Sequence, residues 1–398
     1  MIANIARVTL VISSLFVSAR VSNSRLAQDI SAPYDKQLTI IFAGDIMQHG
    51  PQINAALDDS TGIYNYDPCF QYVEPIISSR DIAIANLELT LAGKPFTGYP
   101  QFSAPDALVA SLKNAGFDIL ATANNHSCDR GDKGILRTIK VIDSIGLQHT
   151  GTFADSVDYR KNHPLVFTKN DIKVALLNYT YGTNGLSFNY PAMVNIIDEE
   201  KLLKDLAYTR SLQPDFIIIF FHWGIEYQLE PNEIQLHLAD ICRENGADAV
   251  IGSHPHVLQP IEYYKNQDST ARNQLVVYSL GNYVSNQRDR YKDGGAMVSF
   301  TLLKTWNRKT ITNPEYHLTW VYTPTEKNKR QYYIVPVNLP YDDSTRLQNT
   351  VWYNINAYLG RLRTMDQNDV LKMTTFINDS RGHLNKNPLA IPEAAYNF

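Results

Sequence analysis

Short apolar runs recur through the first 280 residues, and most of them break on a polar cluster. Residues 38–43 are apolar and β-branched and stop at Gly44-Asp45, the pattern of a buried strand that ends in a loop. Runs at 81–86, 117–123, 172–178, 215–221, 249–251 and 274–280 predict further strands. Between them the spacing predicts helices over 67–80, 105–116, 133–146, 199–212 and 232–245. The second opens on Pro105 and closes on Gly116, and the third closes on Gly146, the usual punctuation of a helix. Residues 90–104 mix Gly, Pro and aromatics and predict an irregular excursion. Strand, loop and helix in repeated alternation predict an α/β layered domain.

The grammar changes after Gly294. Residues 297–303, 317–322 and 332–337 alternate and are rich in aromatics, which predicts antiparallel strands. Leu347, Val351, Ile355, Leu359 and Leu362 fall at helical spacing over 345–362. The charge clusters at 304–309 and 326–330 predict solvated turns. At the other end, Arg7 precedes an apolar stretch over 8–19 that closes on Val17-Ser18-Ala19, the pattern of a secretory signal peptide. A buried N-terminal helix and an uncleaved anchor are the alternatives. No cysteine follows the stretch, which speaks against a lipoprotein anchor. This reading gives a signal peptide over 1–19, a flexible segment over 20–36, a main domain over 37–303 and an extension of strands and helices over 304–398 packed on it. The expected location is outside the cytoplasm: periplasmic, in the cell envelope or extracellular.

Composition narrows the function classes. Hydrophobic residues make up 44% of the 398, which excludes a disordered polar chain. The 36 basic and 40 acidic side chains leave a net charge of −4, so no global basic field marks a nucleic-acid partner. Cys69, Cys128 and Cys242 are too few for a four-thiolate zinc site and read as unpaired thiols, with one disulfide the alternative.

Candidate chemistry sits at the strand ends. Six polar clusters each follow an apolar run: Gly44-Asp45 to His49, Asn86-Leu87-Glu88, Asn124 to Gly131, His222 to Tyr227, Gly252 to His256, and Ser279 to Asn282. In an open α/β sheet, ligands bind beyond the carboxyl ends of the strands, so six tips can converge on one site. Asp and Glu supply hard oxygens, His supplies nitrogen and Asn an amide oxygen, a metal-ligand set. Five of the ten histidines, His49, His126, His222, His254 and His256, lie in these clusters. His254-Pro255-His256 sets two imidazoles two residues apart, and on a turned backbone they point to different sides, which suits two adjacent ions. Each residue alone also has an ordinary role: Asp45 as a loop cap, Asn86 and Glu88 as turn partners, Asn124-Asn125 as a turn, Glu226 and Tyr227 as a structural pair, Asn282 as a Gly-Asn turn. The convergence of all six is what points to a site.

These motifs, in order over about residues 38–300, resemble the CapA family of capsule or poly-gamma-glutamate biosynthesis proteins. That family is similar in turn to calcineurin-like metallophosphatases. The resemblance implies a layered metallophosphatase-like β-sandwich flanked by helices, with two divalent ions (Mn, Mg, Zn or Fe) at the strand tips. Carried over by position, Asp45, Glu88, Asn125, His222, His254 and His256 are metal ligands, with Glu88 bridging. His126 is the catalytic histidine and Asp129 a candidate to orient it. Asn86, Glu226, Tyr227 and Asn282 are left to line the pocket. Met47 stands where such enzymes carry a histidine, and Glu88 is one methylene longer than the usual aspartate. Both departures imply a weaker first-strand ion, with His49 as an alternative ligand. The implied activity is metal-assisted hydrolysis of a phosphorylated or envelope-polymer substrate. The alternative is a non-catalytic protein that binds an anionic polymer, or membrane proteins of a capsule synthesis complex.

Overall fold

Parallel strands buried on both faces place their carboxyl ends along common edges, and this sets up the site. The computed structural model describes residues 35–268, 271–326, 328–337 and 365–384. The strands are β1 (Lys36–Ile46), β2 (Ile82–Leu87), β3 (Ile119–Ala121), β4 (Gln148–Thr150), β5 (Thr152–Phe153), β6 (Leu165–Lys169), β7 (Ile172–Thr180), β8 (Met193–Val194) and β9 (Phe216–His222). They continue as β10 (Ala249–Ser253), β11 (Ile261–Tyr264), β12 (Gln274–Val277), β13 (Asn282–Val284), β14 (Gly294–Lys304), β15 (Lys309–Tyr322), β16 (Thr325–Glu326), β17 (Lys329–Arg330) and β18 (Tyr333–Pro336).

Two sheets carry the architecture. The first has the order β18-β15-β14-β1-β2-β3-β4, with β13 paired to the end of β1. The second has the order β11-β12-β10-β9-β7-β6. β1 to β4 run parallel, while β14, β15 and β18 join antiparallel. In the second sheet β7, β9, β10 and β12 are parallel, and β6 and β11 are antiparallel edges. The fold is thus an α/β sandwich of two mixed sheets with helices outside, layered as the alternation of elements predicts and a sandwich as the family resemblance implies.

Side-chain parity explains why wholly apolar runs form these strands. Phe216, Ile218 and Phe220 of β9 face the layer between the sheets, where they meet Phe42, Ile84 and Phe300. Phe42 packs edge-on to Phe220 at 5.6 Å and stacks on Phe300 at 5.9 Å. The alternate residues Ile217, Ile219 and Phe221 face outward onto Leu202 and Leu206 of helix Glu199–Ser211 and Leu238 of helix Glu233–Glu244. Ile41, Ala43, Ala83 and Ala85 face the opposite outer layer, under Leu108 and Leu112 of helix Ala107–Asn114.

Several sequence expectations are corrected. The helix expected over 67–80 is two short ones, Asp67–Phe70 and Glu74–Ser78, each with proline in its first turn. Pro75 cannot donate to a preceding turn, so a single helix cannot run through. The turn over 304–309 is solvated as expected, with Trp306 exposed, while Lys304 and Lys309 at its ends both pair with Asp215 at 2.7 Å. β14 spans residue 303, and β15 and β18 continue the same sheet. Helix Gln367–Leu384, which the sequence pattern did not mark, packs Met373 and Phe376 into the layer between the sheets. Cys69, Cys128 and Cys242 are free and buried, and burial pushes the thiols of Cys69 and Cys128 up to about 12. The signal-peptide stretch and the helix expected over 345–362 lie outside the described residues.

Candidate metal centre

A one-residue bulge aims the first ligand. Ala43 pairs with Ala85, but Asp45, not Gly44, pairs with Asn86. Without the extra residue Asp45 would share the outward parity of Ala43. The bulge turns it to the face between the sheets, alongside Asn86. Gly44 is required there, because a Cβ would run into the carbonyl of Gly281. Asn86 and Glu88 continue the inner parity of Ile84. His222 continues that of Phe216, Ile218 and Phe220, and Ser253 that of Ala249 and Ile251.

The tips meet in a buried cluster. Asp45 accepts from Asn86 Nδ2 at 2.8 Å, and its other oxygen lies 3.0 Å from His256 Nδ1. Glu88 Oε1 lies 3.5 Å from His222 Nε2 and 3.7 Å from His256 Nε2. His222 Nδ1 is held by Ser253 Oγ at 3.0 Å, and its Nε2 lies 2.9 Å from Asn125 Oδ1. Asn124 donates to Leu87 O and Asn86 Oδ1, which ties the third tip to the second. His254 and His256 both hold positive φ, 99° and 59°, a conformation that costs a non-glycine residue of order 1–3 kcal/mol and is characteristic of functional loops.

The donor set fits cations. Glu88, His222 and His254 offer ligand atoms within 4.8 Å of one another, and so do Asp45, Glu88 and His256. These are two sets that share one carboxylate. A third set joins Glu226 to His254 and His256. Both oxygens of Glu88 and Nδ1 of His254 are buried without a hydrogen-bond partner. Orphaned buried acceptors are costly unless something positive meets them. Burial, and then Asp45, Glu226 and Asp129, push the Glu88 carboxyl well above the usual carboxylate range. Burial works in the same direction on Asp45, but His256 and Asn86 outweigh it and hold that carboxyl low. Burial and the neighbouring imidazoles hold His222 well below its ordinary value and His254 down to about 3, so both are neutral, the form that ligates.

His126 and Asp129 flank this cluster. His126 Nδ1 lies 2.8 Å from Asp129 Oδ2, which also accepts from the Phe102 backbone at 2.7 Å. Phe102 meets the imidazole edge-on at 4.6 Å. A cavity of about 280 Å³ opens over His126, Asn125 and Glu226, walled by Tyr99, Gln101 and Asn184. Glu226 and Tyr227 stand at the exposed rim, with the Tyr227 ring 6.1 Å from His256. Asn282 sits in register with Asp45, but its Nδ2 donates to Gln287 Oε1 and Lys292 O and so holds the loop after β13. Asn86 is wholly buried among the ligands. His49 Nδ1 faces Gln52 Oε1 at 3.2 Å and accepts from Asn286 N, roles tied to the start of helix Gly50–Ala56. Met47 packs in the apolar layer outside the first sheet.

Tyr181 was missed from sequence. Its ring lies 4.5 Å from that of His254, with Asn125 beside its hydroxyl. Burial pushes that hydroxyl up to about 12. The signal was present, since Tyr181 follows β7 as the other clusters follow their strands. Tyr99 and Gln101 come from the irregular excursion, where no period marks a position.

Among solved structures, the chain is similar to a Haemophilus influenzae NAD nucleotidase (12% identity, 87% of this chain and 68% of that one, TM-score 0.44). It is also similar to the calcineurin-like phosphoesterase YfkN of Bacillus subtilis (13%, 71% and 90%, TM-score 0.40). Likenesses this distant say nothing about activity. In sequence it is similar to the capsule biosynthesis protein CapA of Bacillus anthracis, 28% identical over 280 residues, and to the PGA biosynthesis protein CapA of Bacillus subtilis (strain 168), 30% identical over 284. The alignments cover 67% and 68% of this chain, and 64% and 69% of those relatives' own lengths. The family model described as bacterial capsule synthesis protein PGA_cap matches residues 39–287, and the chain belongs to that family.

Proposed function

We propose that the chain is an exported, metal-dependent hydrolase that acts on a phosphorylated or carbonyl substrate connected with an extracellular anionic polymer. The observation that carries the reading is Glu88, wholly buried with both oxygens unbonded between two ligand sets. Asn125, His222, His254 and Glu88 would hold one divalent ion, and Asp45, His256 and Glu88 the other. Such ions, when bound, supply Lewis acidity toward a phosphoryl or carbonyl oxygen and lower the pKa of water at the site. His126 is the proton carrier: Asp129 engages Nδ1, which fixes the ring and leaves Nε2 for a leaving group in the adjoining cavity. Tyr181 and Asn125 orient the wall opposite. Export rests on the 8–19 apolar stretch, and among the described residues no helix is long and apolar enough to cross a membrane.

A second reading is a polymer-binding accessory protein. A Mycobacterium tuberculosis relative, 24% identical, carries the name probable polyglutamine synthesis accessory protein. Hydrolysis of bis(p-nitrophenyl) phosphate and p-nitrophenyl phosphate separates the two. The hydrolase requires turnover that a chelator abolishes and that His126→Ala lowers by about 10²–10⁴-fold with metal content kept. Binding of polyglutamate with no metal-dependent turnover of either ester would instead establish the accessory role.

A further inference from the structure

A second cavity, of about 480 Å³, lies away from the ligand cluster, between the loop after β13, the end of β15 and helix Gln367–Leu384. Arg288, Arg290, Arg330, Lys372, Trp320 and Asp369 line it. Its size is that of a small-molecule site. Most of its charges are already matched. Arg290 pairs with Asp379 at 2.9 Å and Asp293 at 3.3 Å. Asp293 also accepts from Trp320 Nε1 at 2.9 Å, and Lys372 lies 3.6 Å from Asp369.

Two guanidiniums are left over. Arg288 donates through Nη2 to Val321 O at 2.6 Å and lies over the Trp320 ring at 5.9 Å. Its Nη1 is buried with no hydrogen-bond partner. Arg330 reaches neutral oxygens, that of the Asn286 amide at 3.3 Å and the Tyr332 hydroxyl beside it. Among the described residues no carboxylate stands within ion-pair distance of either. A buried guanidinium nitrogen with nothing to donate to is costly, and an oxyanion is the group whose geometry it matches. Arg330 and Lys372, at the exposed rim, add positive charge around the entrance.

We propose that this cavity binds a small oxyanion, a carboxylate or a phosphate, with Arg288 Nη1 as its buried donor and Arg330 and Lys372 as its outer charges. The site shares no residue with the metal ligands. The loop that carries Arg288 also carries Gln287 and Lys292, which Asn282 holds beside Asp45. The loop after β13 therefore lines this cavity and is anchored through Asn282 next to the tip of β1.

Calorimetric titration of the full chain with inorganic phosphate, and separately with succinate, tests the proposal. His254→Ala should keep this binding, because His254 belongs to the metal centre, where wild type can take up phosphate as well. Arg288→Gln should bind about tenfold or more weakly, the loss of one charged hydrogen bond, and Arg330→Gln severalfold. Phosphate bound in preference to succinate would identify a phosphate ligand, and the reverse a carboxylate. Should Arg288→Gln not fold, Arg330→Gln carries the test through a smaller rise of its thermal midpoint with the anion than wild type shows. No binding of either anion, binding unchanged in the arginine variants, or binding lost in His254→Ala would overturn the site.

Discussion

Two polar clusters draw on the second sheet, one of them shared with the strand tips of the first, and they are finished to different degrees. Around His163 the network is closed. His163 Nε2 meets Asp205 at 2.8 Å and its Nδ1 meets Asn195 at 2.8 Å. Asp205 also accepts from Tyr179 Oη at 2.8 Å and Lys201 Nζ at 2.6 Å. None of these residues has a buried nitrogen or oxygen without a partner. At the strand tips, Asp45, Asn86 and Ser253 are bonded, while Glu88 and His254 keep orphaned atoms aimed at one another's surroundings. Both clusters set a carboxylate against a buried histidine. What separates a packed network from a candidate site is unspent ligand capacity, since evolution of a stable core has no use for an acceptor left dry.

The largest test of that distinction is Glu88→Gln. If both ligand sets depend on the shared carboxylate, divalent metal affinity falls on the order of a hundredfold, as loss of a principal ligand requires. The unfolding midpoint of the metal-free protein should hold or rise, because a buried unpaired carboxylate has gone. Metal titration beside thermal unfolding checks this. Wild-type affinity in the variant would dissolve the contrast between the clusters.

Asp205→Asn probes the closed side. Burial works to raise the Asp205 carboxyl, but His163 and Lys201 together hold it down to about 2 from an ordinary 3.8. A depressed carboxyl stabilises the fold above its unfolded pKa, and that contribution disappears as pH falls through the folded value. The shift amounts to about 2 kcal/mol, complete above pH ~4 and lost toward pH ~2. The variant should lose about that much in urea unfolding at pH 7, show a flatter acid limb, and bind metal as wild type does. A change in metal affinity would mean that the two clusters are coupled.

The sequence made much of this legible, for identifiable reasons. Strand runs such as 216–221 were plain because both faces are covered and every position is apolar. The strand tips were plain because polar clusters interrupt those runs abruptly. β6 and β11 were not, since these edge strands bury only their first residue and show no clean period. The bulge at Gly44 was invisible for a different reason. It exists only in the pairing of β1 with β2, yet it decides which way Asp45 faces. Position 47 suffered from the same blindness, because motif alignment assigns a residue to a site whether or not its side chain reaches it.

Met47→His turns that last point into the finest test. By alignment alone, a histidine at 47 completes the ligand set of the first-strand ion and tightens it. The packing gives the opposite sign. Met47 is 2% exposed and lies in the apolar layer with Ile46 and Leu87, across the first sheet from Asp45 and Glu88. Its backbone is fixed by the bond from its N–H to Val284 O at 2.9 Å, and its own carbonyl accepts from Gln52 at 2.9 Å. An imidazole there would enter hydrocarbon with no partner, at a cost of about 1 kcal/mol or somewhat more. Metal affinity should therefore stay within the error of wild type while the urea midpoint falls. Tighter metal binding in Met47→His, with stability kept, would show that the tip of β1 can turn residue 47 toward the cluster, and that its asymmetry is set by the missing ligand.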